Sequence, residues 1–311
     1  MESSSKKAII AALIGNCLIA ATKFIAAALT GSSAMLSEGI HSVVDTGNQV
    51  LLLYGIRRSQ LPADARFPFG RGKEVYFWSF VVAIMIFAVG AGVSVYEGIR
   101  HILAPQHIEN PTVNYVVLGL ALLFEGGSWL FALREFSRAK GKWNYFQAVA
   151  RGKDPSLFVV VFEDSAAMLG LAVAFVGILL GQLTGSPYYD GAASIVIGLI
   201  LGGTAAWLAF ETKGLLIGES ANPEVVDGLC EIIARYPEID HLNEVLTMHM
   251  GPDFILVNVS VDFADDLTAD RLESTIESLD KEIKAKFPRV KRVFVEAEAR
   301  SRKKTTGEAV A

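Results

Sequence analysis

The sequence predicts an α-helical membrane domain of six spans followed by a small C-terminal α+β domain. Three observations lead there. The 311 residues are 52% hydrophobic with a mean hydropathy of +0.40, more apolar than a fully water-exposed surface allows. Long apolar runs fill the first two thirds, while the last third is charged and of ordinary composition. Lysine and arginine collect in alternate loops between the runs. The net charge of −5 argues against nucleic acid as a partner. The two cysteines, Cys17 and Cys230, are too few for a disulfide framework or a zinc knuckle and suit a reducing compartment around the soluble part.

Crossing a bilayer takes about 20 residues of helix. Six runs qualify: 8–29, 35–55, 75–99, 113–134, 156–183 and 192–216. The first follows Lys6-Lys7 and contains Ala26-Ala27-Ala28, as a signal peptide would. It is longer than a signal core and further spans follow, so it reads as a retained helix after a short tail at 1–7. The membrane domain then covers 8–218. Arg57, Arg58, Arg66, Arg71 and Lys73 lie between the second and third runs; Arg134, Arg138, Lys140, Lys142, Arg151 and Lys153 lie between the fourth and fifth. The alternate loops are nearly bare of positive charge, which places both termini in the cytoplasm.

The second run carries the most chemistry. Glu38, His41, Asp45 and Asn48 are spaced to share one helical face. His41 and Asp45 are one turn apart, so an imidazole nitrogen and a carboxylate can reach one ion, a donor pair that suits zinc and its first-row neighbours. The plainer alternative is a polar seam hydrogen-bonded to neighbouring helices. Ionisable groups inside a span point to function by default. In the fifth run Glu163 and Asp164 are adjacent acids in an apolar helix, a costly pair unless a metal ion or a proton neutralises it; the plainer alternative is one acid paired with Lys23 and the other facing a wet cavity. Lys23 in the first run is expected to pair with an acid such as Glu38, and Gly90 and Gly92 in the third to admit a neighbouring helix. Glu125 in the fourth run either pairs with a cation inside the bundle or lines a wet cavity.

After Gly218 the pattern changes. Pro223 opens a helix expected to run to Tyr236; residues 245–250 and 254–263 alternate as strands; 268–287 is an amphipathic helix with Leu272, Ile276, Leu279 and Ile283 on one face; 289–297 alternates again. The order α-β-β-α-β over 219–300 suits helices packed on one side of a sheet. The polar stretch 301–311 reads as a disordered tail.

Six spans, a metal pair on the second and an α+β tail resemble the cation diffusion facilitator family of zinc transporters. The resemblance rests on His41-Ser42-Val43-Val44-Asp45, similar to that family's His-or-Asp, three residues, Asp motif. It rests also on Pro68-Phe69-Gly70-Arg71-Gly72-Lys73-Glu74, similar to its Pro-Phe-Gly-His-Gly-Lys stretch. It implies a homodimeric, proton-coupled exporter with a ferredoxin-like cytoplasmic domain, taking Zn2+ as transported substrate and needing no organic cofactor. The family's site draws two side chains from each of spans two and five. Carried over, these are His41, Asp45 and Asp164, with Val160 at the fourth position and Glu163 as the acid able to compensate. Two further family sites look absent: Phe67 and Arg71 stand in the loop site, and Asn258, Glu296 and Glu298 in the cytoplasmic one, where His241 and His249 are the histidines present.

Manganese, iron or cobalt is the alternative cargo, since oxygen-rich sites suit them as well. Two rivals come from other classes. An intramembrane metalloenzyme would need His-Glu-x-x-His or a nucleophile–base pair in the spans, and neither is present. A membrane receptor or scaffold would bind a protein through the soluble tail and carry no metal flux.

Overall fold

The computed structural model describes residues 2–105 and 110–299, with side chains from residue 16 onward except 139, 146, 150, 156 and 157. The expected tail at 301–311 lies outside the described residues. The chain forms two compact units: Met1–Gln60 with Glu74–Gly214, and Leu61–Lys73 with Leu215–Ala311.

The first unit is helical. α1 (Glu2–Thr30) and α2 (Ser33–Ser59) are joined by a tight turn. The Ser32 hydroxyl caps α2 by accepting from the Met35 amide at 3.2 Å, satisfying one of the helix's unpaired N–H groups. The third apolar run forms α3 (Glu74–Met85), a π-helical stretch (Ile86–Ala91) and α4 (Gly92–Leu103). α5 (Pro111–Ala139) starts on a proline, which needs no N–H there. A short α6 (Tyr145–Arg151) opens on a capping box between Asn144 and Gln147. α7 (Pro155–Thr184) and α8 (Tyr188–Ile217) complete the unit. Among the described residues, the stretches Glu74–Leu103, Pro111–Arg138, Phe158–Thr184 and Tyr188–Ile217 are long and apolar enough to cross a membrane, and Asn16–Thr30 is a shorter apolar helix. The first unit is thus a multi-pass membrane domain.

α2 packs on α1, α3 and α7, and α5 packs on α7. The close helix approach expected at Gly90 and Gly92 is made elsewhere. A Cβ on Gly98 of α4 would fall 2.7 Å from the Gly191 carbonyl oxygen of α8. No side chain fits there, so the two backbones pack directly. Gly90 meets Leu201 at an ordinary 3.5 Å.

In the second unit α9 (Pro223–Ile233), β1 (Ile239–Gly251), β2 (Phe254–Phe263), α10 (Ala269–Lys286) and β3 (Val290–Ala297) follow the expected order. β2 is central, antiparallel to β1 and parallel to β3. β1 begins earlier than its alternation suggests, because register shifts at Ile239/His241 and Leu242/Glu244 break the period of two. One face of β2 (Val257, Val259, Val261) buries against Leu229, Ile232 and Ile233 of α9 and Leu279 and Ile283 of α10.

The segment Leu61–Lys73 belongs to this unit. Gly70 has φ +79°, a left-handed conformation that glycine adopts freely. Gly72 packs so tightly on the β1–β2 hairpin that a Cβ would lie 2.4 Å from the Met250 carbonyl oxygen. Phe69 meets Phe294 edge-on, with centroids 6.5 Å apart. The glycines and phenylalanine of this motif are therefore docking residues.

Candidate functional site

Two helices set the site. α2 presents its polar face along its length, and each part takes a different partner. Near its start, Glu38 accepts from the Lys23 ammonium at 3.0 Å, the pairing expected from the sequence. One turn on, His41 Nδ1 lies 3.2 Å from Asp45 Oδ1. Further along, Asn48 Nδ2 donates to Glu163 Oε1 of α7 at 2.6 Å.

Beside this chain of contacts lies a cavity of about 30 Å³, room for a water-sized particle or two. Asp45, Asp164 and Glu125 line it with Asn16, Ser42 and Gln49. Of the expected residues, Asp45 and Asp164 reach its wall, whereas His41 and Glu163 do not. Buried donor atoms stand without hydrogen-bond partners here: both ring nitrogens of His41, Asp45 Oδ1, Asp164 Oδ2 and Glu125 Oε2. The His41–Asp45 contact is close enough to share an ion but is not aligned as a hydrogen bond. Unsatisfied buried lone pairs are rare in folded proteins and mark places where a ligand or water completes the set. Among the described residues no three His, Cys, Asp or Glu side chains converge tightly enough to enclose a metal ion. The candidate donors stand in pairs, not as a closed tetrahedron.

Residues 9–217 match the family model of the cation efflux transmembrane domain. The chain belongs to the cation efflux family. This cation efflux protein is 34% identical to the mitochondrial proton-coupled zinc antiporter SLC30A9 of Xenopus laevis, over 93% of its own length and 59% of that relative's. Against the human SLC30A9 protein the identity is 36%, covering 83% of this chain and 46% of the other. The chain thus spans about half the length of these relatives. It is 24% identical to the manganese efflux system protein MneP of Bacillus subtilis (strain 168), over 94% of this chain and 96% of that one.

The family match covers His41, Asp45, Glu163 and Asp164. Sequence reasoning leaves Glu125 undecided, and the structure gives it both offered roles: it accepts from Lys23 at 2.8 Å and lines the cavity. Sequence reasoning misses a second polar cluster. His101, in the last turn of α4, lies 2.9 Å from Asp190 at the start of α8. Asp190 also accepts from the Ser32 hydroxyl and the Ser33 amide, so it anchors the start of α2. The third apolar run ends at Ile99, which leaves His101 in a loop; the helix runs on to Leu103. Local spacing carries no signal for this pair, because the nearby acid Glu97 bonds Arg100 and the partner of His101 lies on another helix.

Among the described residues, neither His241 nor His249 stands in a group of three or more metal-ligating side chains. His249 is buried in β1 with Nδ1 3.4 Å from the Gly251 carbonyl oxygen, and His241 pairs with Asp262 across the β1–β2 ladder. At the loop positions, the Arg71 guanidinium stacks over the Phe67 ring at 4.2 Å and bonds Asp64 at 2.8 Å. That bond and the Phe67 amide hold the Asp64 carboxyl below its ordinary range. Arg71 and Asp64 thus pair with each other, while Arg71 Nε stays buried without a hydrogen-bond partner.

Proposed function

We propose that this cation efflux protein exports a divalent metal cation, zinc foremost, from the cytoplasm in exchange for protons. The observation that carries this reading is the set of buried, unpartnered donor atoms on His41, Asp45 and Asp164 beside a cavity inside a membrane-spanning bundle. Its support from relatives is the antiport of zinc named for the SLC30A9 proteins. In this reading α1 and α2 join the four longer apolar stretches as six spans, domain 8–218, with both termini cytoplasmic. The order α9-β1-β2-α10-β3 over 219–300 serves as a ferredoxin-like cytoplasmic domain of a homodimer, 301–311 is a tail, and the stretch expected as a tail at 1–7 is instead, from Glu2 on, the first turns of α1.

The residues act as follows. Asp45 and Asp164 offer carboxylate oxygens to the ion from opposite helices. His41, one turn before Asp45, turns its free nitrogen to the same ion. Glu163, held by Asn48, carries the coupled proton or adds a fourth donor. Binding the cation neutralises carboxylates that are costly in low dielectric. Protons compete for the same lone pairs, so metal leaves where protons arrive.

A second reading keeps the mechanism and changes the cargo. The cavity wall offers oxygen donors only, from Asp45, Asp164, Glu125, Ser42, Asn16 and Gln49. An all-oxygen set suits manganese better than zinc, in keeping with the manganese efflux named for MneP. The test is flux of a panel of divalent ions by the full chain in proteoliposomes with an imposed pH gradient. Zinc flux lost in His41→Ala and Asp45→Ala is expected. Manganese flux that survives His41→Ala selects the second reading, and no flux of any ion selects the scaffold alternative.

A further inference from the structure

Lys23 is fully buried in α1. Its ammonium donates to Glu38 Oε2 at 3.0 Å, to Ser42 Oγ at 2.9 Å and to Glu125 Oε1 at 2.8 Å. An ammonium has three donors, so Lys23 is saturated. Its two acids differ. Glu38 is 0% exposed and does not reach the cavity, whereas Glu125 is 18% exposed and lines the cavity with Asp45 and Asp164. Glu125 Oε2 is buried without a partner. Two arms of the lysine network, the neutral Ser42 and the charged Glu125, thus end on the wall where the transported ion is proposed to bind, and only Glu125 brings a carboxylate there.

We propose that Lys23 is a tethered monovalent cation that occupies Glu125 until a divalent ion enters, and that Glu125 then joins Asp45 and Asp164 in binding that ion. The inference rests on the transport reading above. The exchange leaves Lys23 two of its three partners, Glu38 and Ser42, so the ammonium is never stranded in low dielectric. It also sets selectivity. A potassium or sodium ion brings no more charge than the lysine already present and gains little by displacing it. A divalent ion brings twice the charge to the same carboxylates and wins. Repulsion from the nearby ammonium then keeps the ion from binding so tightly that it cannot leave.

The test uses the full chain in lipid nanodiscs and equilibrium calorimetry with zinc and with manganese, with and without added potassium. Glu125→Gln is expected to weaken divalent binding about tenfold, as loss of a carboxylate at a metal site does. Lys23→Met removes the internal competitor. It is expected to tighten divalent binding about tenfold and to make it sensitive to potassium. In the Glu125→Gln background Lys23→Met is expected to have no further effect, since the two act through one contact. Equal tightening in both backgrounds, or weaker binding in Lys23→Met, overturns the proposal, because a merely structural lysine gives no gain in affinity. Should Lys23→Met fail to fold, Glu125→Gln decides alone: wild-type affinity there refutes it. Asp45→Ala in the same assay separates the two readings. Wild-type binding in Asp45→Ala strikes the metal site itself. Binding lost in Asp45→Ala but unchanged in Glu125→Gln removes only the role of Lys23 and Glu125.

Discussion

Substituting Gly72 with alanine tests whether the loop between α2 and α3 is docked on the β1–β2 hairpin. An alanine Cβ would lie 2.4 Å from the Met250 carbonyl oxygen, 3.2 Å from its carbon and 3.1 Å from Gly251 Cα. Non-bonded carbon contacts are comfortable at about 3.5–4.0 Å, so the loop must retreat by about 1 Å. The obstacle is backbone on both sides and cannot rotate away. Over-packing of this kind costs about 1–3 kcal/mol, and the Phe69–Phe294 edge contact, worth about 0.5–1.5 kcal/mol, is strained with it. A change of about 1–3 kcal/mol is a factor of about 5–150 in a local opening equilibrium. Hydrogen exchange by mass spectrometry on the full chain reads this directly. Peptides covering 67–73 and 248–254 are expected to exchange faster by that factor. Gly70→Asn is the control: Gly70 has φ +79° but nothing lies within 4 Å of where its Cβ would stand, and asparagine tolerates that conformation. Its effect should stay within the loop. Unchanged protection in Gly72→Ala, or equal changes in the hairpin from Gly70→Asn, would refute the docking argument.

Glu163→Gln keeps an oxygen for Asn48 and removes the titratable proton. Since Glu163 is off the cavity wall and bonded to Asn48, zinc affinity is expected to stay within about threefold while flux stops following an imposed pH gradient; affinity lost at every pH would make it a ligand instead. Residues 219–300 are expected to fold alone. Within them Leu279→Ala, at a fully buried position of the α10 core, is expected to cost about 2–5 kcal/mol in denaturant titration followed by circular dichroism. Burial and the Glu282 carboxylate, which accepts from the Tyr236 hydroxyl at 3.0 Å, push the Tyr236 phenol up to about 12. The folded state therefore holds this proton where the unfolded chain, with a value near 10, has released it. The stabilisation is full below pH about 10 and is lost as pH rises towards about 12. Tyr236→Phe is expected to remove that decline, as measured by the pH dependence of the same unfolding transition.

The sequence alone determined the membrane class, the order of elements in the C-terminal unit and the α2 face. These follow from local periodicity: apolar runs long enough to span, alternation in β2, and Glu38, His41, Asp45 and Asn48 at helical spacing. The charge of Lys23 also foretold a buried partner, because an ammonium in a bundle must have one. Tertiary structure decided what periodicity cannot encode. Only packing shows that the polar face divides its partners, with Glu38 on Lys23 and Asn48 on Glu163. Packing also brings Glu125 to the same cavity as Asp45 and Asp164, and it joins His101 to Asp190 across α4 and α8. The glycines made the same division. Gly90 and Gly92 had the composition of a helix contact, yet the close approach is at Gly98 and Gly191. Helical spacing says which residues share a face. Which neighbour that face meets depends on how separate helices rotate and cross, and that is fixed by the sum of contacts along whole helices.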